Sequence, residues 1–237
     1  MTKTFSNALV DADVLRYRCG FAVEYTLFHV EGLPEPLRGK TELKAYLEGN
    51  PNAKYTEEKV IEPSENAIQI VKNYLSQIRN RCGCDLTLFI SGRNNFRDDV
   101  ATIKPYKGNR PDRKPAAYDD ITQWLIEHGA IVSDGVEADD LLAINQTTDT
   151  VICSVDKDLL QVPGHHYDFV KDEFKEVDED QGWYNLCVQI LMGDTTDNIQ
   201  GIPKVGIKKA EAMLEGCETQ EEMLNACKEA YKLHFGS

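Results

Sequence analysis

Gly135-Val-Glu-Ala-Asp-Asp-Leu-Leu-Ala-Ile-Asn-Gln-Thr-Thr-Asp-Thr-Val-Ile-Cys-Ser-Val-Asp-Lys-Asp158 is the stretch on which the fold turns. Its first part, Glu137–Gln146, predicts a helix that opens on three acids, Glu137, Asp139 and Asp140. Its second part, Thr150–Val155, predicts a buried strand that stops on Asp156, with Asp158 close behind. Outward from here the same pattern recurs. Ala8-Leu9-Val10 is a strand ending on Asp11, Asp85–Ile90 (DLTLFI) is another, and Ala130–Val132 is a short one. Helices are expected between them: one at VLRYRCGFAV, one at Glu65–Arg81 with Ile68, Val71, Leu75 and Ile78 at helical spacing, and one at Ala116–His128. Ser64 can cap the second of these and Gly83 can close it, while Gly129 stops the third. Strands alternating with helices give an α/β fold with a central, mostly parallel sheet flanked by helices.

The remaining segments are less regular. Tyr25–Val30 reads as a strand. Residues 31–63 carry Gly32, Pro34, Pro36, Gly39, Gly49 and Pro51 and read as an insertion with only a short helix near Glu42–Glu48. His165–Val170 and Phe174–Val177 read as a hairpin around Lys171-Asp172-Glu173, and the acidic run Asp172–Asp180 as solvated. Adjacent His165 and His166 point to opposite faces of a strand, which argues against shared metal ligation. Ile121, Trp124 and Leu125 are expected in the core. After Trp183 the chain is expected to be helical to its end, broken by Gly193, Gly201, Pro203, Gly206 and Gly216, with Gln220–Phe235 as an amphipathic closing helix.

A chain of 237 residues has the size of one large domain, or one with a small appendage. Its 41% hydrophobic content excludes global disorder. No apolar run approaches the ~18 residues of a bilayer span. Met1–Val10 lacks the charged start and apolar core of a secretory signal, so a cytoplasmic protein without a membrane segment is expected. Seven cysteines, of which only Cys82 and Cys84 are close, form poor zinc spacing and read as reduced thiols. The net charge of −14 argues against a nucleic-acid partner, but the layout does not. Arg93, Arg97, Lys104, Lys107, Arg110, Arg113 and Lys114 face only Asp98, Asp99 and Asp112 within Arg93–Lys114, a local +4. Lys204, Lys208 and Lys209 form a second basic cluster.

The acids are placed as well as numerous. In open α/β sheets ligands bind at the carboxyl ends of strands, where Asp11 and Asp156 are expected. Glu137 and Asp140, three apart, share a helix face, and Asp194 and Asp197, also three apart, share one side of a turn or helix start. Taken singly each is read as a helix cap or a turn residue. If all eight converge, they repel one another unless cations neutralise them. Oxygen-only ligation selects Mg²⁺ or Mn²⁺ over zinc, and two divalent ions move the charge from −14 to −10. Two such ions about 3.5–4 Å apart activate water and stabilise the leaving oxygen of a phosphodiester. The basic segment then offsets the repulsion between the acids and an anionic substrate. Hydrolysis of nucleic acid is the chemistry this combination suits.

The ordered motifs LVDAD, FRDDVATIKPYKGNR, GVEADDLLA, CSVDKDLL and MGDTTDNIQGIPKVGIKKA, from Asp11 to Ala210, resemble those of the 5′–3′ exonuclease and flap endonuclease family. They are most similar to the phage enzymes and to the 5′-nuclease domain of bacterial DNA polymerase I. The resemblance implies a PIN-like 5′-nuclease fold. Residues 1–192 would form the catalytic domain, including an arch region at 92–128, and residues 193–237 a helix–three-turn–helix part that binds duplex. It implies a first metal group of Asp11, Glu137, Asp139 and Asp140, the last either a ligand or a support behind the ligands, and a second group of Asp156, Asp158, Asp194 and Asp197. As catalytic residues, Arg18 matches a family arginine near the scissile phosphate, Lys107 matches the stretch before the arch, where it would steady transition-state charge, and Arg97 matches the arginine of the family's FR pair. Tyr106 and Arg110 match the approach to a helical arch that admits a 5′ single strand. Gly201, Lys204, Gly206, Lys208 and Lys209 match the duplex clamp, often built around K⁺. The implied cofactors are two Mg²⁺ ions, with Mn²⁺ as a substitute. The implied partners are DNA with 5′ ends or flaps, RNA–DNA hybrid as an alternative, and replication proteins around a monomeric enzyme in a bacterial or phage-infected cytoplasm.

Two departures from the pattern stand out. Strand DLTLFI runs into Ser91 where the family carries an Asp, leaving Asp98 or Asp99 as replacements, a dispensable acid, or a weakened first site. The chain also ends soon after the lysine-rich helix, so grip beyond the first duplex turns would be reduced or come from a partner. Two rivals follow. One is a DNA-binding protein of the same fold with weakened catalysis. The other is a haloacid-dehalogenase-like phosphatase built on Asp11-Ala-Asp13, which leaves GVEADD, the second DxD and YKGNR without a role.

Overall fold

A computed structural model describes residues 4–110 and 113–236. Asp112 of the basic run and the extreme ends of the two expected domains lie outside them. The chain runs β1 (Asn7–Asp11), α1 (Ala12–Ala22), β2 (Glu24–Val30), β3 (Leu37–Arg38), α2 (Gly39–Gly49), β4 (Tyr55–Ile61), α3 (Ser64–Cys82) and β5 (Asp85–Ile90). It continues through α4 (Phe96–Val100), α5 (Tyr118–Glu127), β6 (Ile131–Val132), α6 (Ala138–Asn145) and β7 (Thr150–Cys153). A 3₁₀ turn (Lys157–Gln161) leads to β8 (Gly164–Asp168), β9 (Glu173–Val177) and α7 (Glu179–Met192). The miniature pair β10 (Gly193–Asp194) and β11 (Ile199–Gln200) precedes α8 (Ile207–Leu214) and α9 (Gln220–Phe235). Among the described residues no helix is long and apolar enough to cross a membrane. The chain divides into two compact units, residues 1–11, 78–112 and 131–237, and residues 12–77 and 113–130.

The first unit holds a six-stranded sheet in the order β6-β5-β1-β7-β8-β9, parallel except for β9. Every residue of β7 is buried, as expected of a central parallel strand whose sequence is one apolar run. Leu9, Phe89 and Ile152 pack with Ala138 and Leu142 of α6 and Leu159 of the 3₁₀ turn. The register pairs Asp11 with Phe89 and Val10 with Cys153, so β1, β5 and β7 end level with one another. Beyond the sheet, α7, α8 and α9 enclose Cys187, Leu191, Ile202, Ala210, Leu214, Met223 and Cys227.

The expected strand Thr150–Val155 stops at Cys153 for a local reason. Ser154 Oγ accepts from Asp156 N at 3.0 Å and Asp156 Oδ1 from Asp158 N at 2.9 Å, so two side chains take the N–H groups a longer strand would have used. The acidic run Asp172–Asp180 is exposed as expected, but its end is structural. Asp178 accepts from Gln181 N at 2.7 Å and caps α7, which therefore starts ahead of Trp183.

In the second unit, β2 pairs antiparallel with both β3 and β4. Phe28, Val30 and Leu43 form its buried centre. The insertion at residues 31–63 therefore holds two strands besides its helix, where sequence predicted the helix alone. The sequence of β4, YTEEKVI, is polar and exposed, so it carries little strand signal of its own. Its pairing with β2, from Glu24↔Ile61 to Val30↔Tyr55, supplies the order. In the same unit Ile121 and Leu125 are fully buried, whereas Trp124 is half-buried and stacks on His128 with centroids 3.9 Å apart.

Candidate active site at the carboxyl ends of the parallel strands

Asp11 is the last residue of β1 and only 3% exposed. Ser154, just past β7, donates its hydroxyl to Asp11 Oδ2 at 2.7 Å while its oxygen accepts from Asp156 N. One serine thus ties an acid at one strand end to the acid beyond the next. From Asp156 the contacts continue to Asp158, whose carboxyl shares a hydrogen bond with Asp194. Asp194 Oδ1 accepts from Asp197 N at 3.2 Å. The Tyr106 hydroxyl lies 2.8 Å from Asp197 Oδ2 and 2.7 Å from Glu137 Oε2. Glu137 N donates to Asp140 Oδ2 at 2.9 Å, half of a helix capping box. An unbroken chain of contacts therefore joins Asp11, Asp156, Asp158, Asp194, Asp197, Glu137 and Asp140. Asp139, half-buried in the first turn of α6, stands beside it.

Cations of the basic segment sit on these acids. Lys107 Nζ lies 2.5 Å from Glu137 Oε1, and Arg110 pairs with Asp197. Arg97 grips Asp140 with both guanidinium nitrogens, at 2.7 and 2.8 Å. That fork holds the Asp140 carboxyl below its ordinary range and the Arg97 guanidinium above its own. Burial, and then the two neighbouring carboxylates, push the Tyr106 phenol up, so it serves as a proton donor. Burial, the hydrogen bond shared with Asp194 and the charge of Asp156 raise Asp158 to about 6. Burial works against the Asp194 charge, but bonds from Asp158, Thr196 N and Asp197 N outweigh it and hold Asp194 low. Carboxylates this crowded suit a divalent cation.

Among the described residues, however, no three His, Cys, Asp or Glu side chains stand ready to hold a metal ion together. The acids do gather, with Lys107, Arg97 and Arg110 between them as internal counter-charges and the neutral Tyr106 hydroxyl as a hydrogen-bond donor. The donor chemistry still fits a hard cation, since every candidate ligand is a carboxylate oxygen.

Three other expectations resolve locally. Ser91 Oγ accepts from Ala138 N at 2.9 Å, so the residue in place of the family's acid helps hold the start of α6. Asp98 and Asp99, the candidate replacements, are exposed in the first turn of α4. Of the described residues in the expected arch region, only α4 and α5 are helical, and 101–110 run through turns. Arg18 belongs to the second unit, where its Nε donates to the Tyr74 hydroxyl at 2.8 Å.

The clamp candidates lie on one turn and one helix. Gly201 is buried, and a Cβ there would overlap the backbone of Met192 and Gly193. Gly206 opens α8 in an extended conformation with no side chain capping it, which leaves the helix start open to an anion. Lys204, Lys208 and Lys209 are exposed around this opening, with Lys209 Nζ donating to Lys204 O at 3.0 Å.

No protein-family model matches the chain. It is 29% identical over 170 residues to a 5′–3′ exonuclease of Buchnera aphidicola from Schizaphis graminum, an alignment covering 63% of this chain and 58% of that one. The counterpart from Acyrthosiphon pisum is 27% identical over 180 residues, covering 67% and 61%. The chain is a relative of the 5′–3′ exonucleases. It spans roughly three-fifths of the length of these two curated relatives. A DNA polymerase I of Rhizobium leguminosarum matches at 36% over 100 residues, 36% of this chain and 10% of that enzyme. In fold, the chain is similar to a T5 protein co-crystallised with metal ions, with TM-score 0.56 and 14% identity over 97% of this chain and 86% of the other. It is also similar to the T5 5′-exonuclease with zinc bound, with TM-score 0.53 and 15% identity over 97% and 86%.

Three residues of the site were missed in the sequence. Ser154 bridges Asp11 and Asp156, and its S-x-D spacing, a hydroxyl two residues before the N–H it receives, is a usable signal. Asn109 and Asn198 donate to backbone carbonyls distant in the chain, for which no spacing rule exists.

Proposed function

We propose that the protein is a divalent-metal-dependent 5′–3′ exonuclease or flap endonuclease that hydrolyses DNA near 5′ ends. The observation that carries this is the continuous chain of contacts among seven acids at the strand ends, with a lysine and two arginines lying on it. Asp11, Glu137 and Asp139 on one side, and Asp156, Asp158, Asp194 and Asp197 on the other, would hold Mg²⁺ or Mn²⁺. Bound there, the ions would supply activated water and charge stabilisation at a phosphodiester. Lys107 and Arg110, relieved of neutralising Glu137 and Asp197, would then face the substrate phosphate, where positive groups stabilise developing charge. Arg97 would stay on Asp140 and keep the start of α6 in place. Arg18 is assigned to the scissile phosphate by family resemblance. Lys204, Lys208, Lys209 and the open start of α8 would hold duplex backbone, with K⁺ at that turn as a further expectation. RNA–DNA hybrid, replication partners and a cytoplasmic setting belong to the same proposal.

The test is Mg²⁺-dependent release of nucleotides from 5′-labelled flap, nicked and blunt DNA, with chelator as control. Release that survives chelation, or none on any substrate, would defeat it. The second reading, a DNA-binding protein with weakened catalysis, is favoured by Ser91, which binds backbone where the family has an acid. Tight binding without cutting would favour it. The phosphatase reading loses ground because Asp13, the second acid of its motif, pairs with Arg16.

A further inference from the structure

Segment 105–110 is fastened to the loop 195–198 by more than charge. Lys107 N donates to Asp197 O at 2.9 Å, and Arg110 Nε to Thr196 O at 3.1 Å. Asn198 Nδ2 reaches Pro105 O at 2.9 Å, two residues before Lys107. Asn109 Nδ2 reaches Thr195 O at 2.5 Å, from two residues after it. Lys107 and Asn198 both hold left-handed backbone, with φ of 53° and 61°. Asn adopts that conformation readily, whereas a lysine there needs support from its surroundings. The two amide side chains bracket the lysine and supply that support.

We propose that Asn109 and Asn198 are positioning residues that clasp segment 105–110 to the acid-bearing loop and thereby aim Lys107 at the reacting phosphate. A lysine carries its charge on a flexible four-carbon stem, so fixing its backbone is the economical way to restrict where the ammonium goes. Misplacement by about 1 Å is enough to cost up to ~10²-fold in rate. The acids set the charge at the site, and the asparagines set the geometry of its counter-charge. The kinetic part of this inference rests on the nuclease reading above.

The experiment uses the full chain with Asn109→Ala and with Asn198→Gly, the glycine keeping the left-handed backbone while removing the amide. Thermal scans first confirm folding. Single-turnover cleavage of 5′-flap DNA should fall about tenfold in each variant, with DNA affinity changed less than about twofold. In a Lys107→Ala background neither change should lower the rate further, because the group being aimed is gone. An undiminished rate, or an equal fall in that background, overturns the proposal. Limited trypsin digestion gives a readout independent of activity. Lys104 and Arg110 each precede proline, so cutting within 104–110 falls after Lys107. The variants should be cut there several times faster than the parent. If the parent cuts no DNA, the nuclease reading fails; faster digestion would still support the clasp, and unchanged digestion would overturn it.

Discussion

The six-stranded and the three-stranded sheets of this protein solve different problems. In the six-stranded sheet the parallel strands β1, β5 and β7 are largely buried, and their carboxyl ends lie level. Whatever polar residue follows each strand must emerge at the same edge. In the three-stranded sheet neighbouring strands run in opposite directions, so their ends alternate. The charges of β4, Glu57, Glu58 and Lys59, are spread along a solvent-facing strand instead. Parallel topology gathers chemistry at one edge and antiparallel topology disperses it.

The largest expected effect tests the gathering itself. Asp194→Ala should lower cleavage on the order of a thousandfold, the several kcal/mol that metal stabilisation of a phosphodiester is worth. It should also abolish a metal-induced rise in Tm of roughly 5–10 °C, expected when Mg²⁺ at about a hundred times its Kd binds only the folded form. A retained rise would place the metal elsewhere. Next, Lys107→Ala should reduce the single-turnover rate about a hundredfold and leave DNA binding nearly intact. Equal losses in rate and binding would make it a backbone contact instead. Arg97→Ala removes a fork that is partly solvated and should cost about 1 kcal/mol of stability, with a cleavage loss below about tenfold. A loss as large as that of Asp194→Ala would place Arg97 on the substrate. The smallest effect on cleavage belongs to the other sheet. Leu43→Ala opens the buried centre around Phe28 and Val30 and should cost about 2–4 kcal/mol in denaturant unfolding, yet cleavage well below Tm should not change. A drop in cleavage there would break the contrast between the sheets.

Legibility in the sequence follows the same division. Strands β1, β5 and β7 are visible because buried parallel strands read as apolar runs, and the acids that end them are visible for the same reason. Strands β3 and β4 are not visible, because one has two residues and the other is a polar strand ordered by a partner some thirty residues away. The eight acids were identifiable and so was the basic segment. Which cation meets which acid was not, since Lys107 reaches Glu137 and Arg110 reaches Asp197 across distances no local pattern encodes. Asp140 shows why single residues mislead. It is at once a helix cap, an arginine partner and a member of the acid chain, and only the cap has a sequence signature.

Gly193 and Gly201 stand back to back, each so near the other's backbone that a methyl group on either would overlap it, and Gly193 is left-handed as well, with φ of 71°. Any descendant of this chain that keeps the loop must keep both glycines. The pair is therefore a durable marker for aligning distant members, and a sequence that has lost one of them has abandoned this loop, whatever acids it retains.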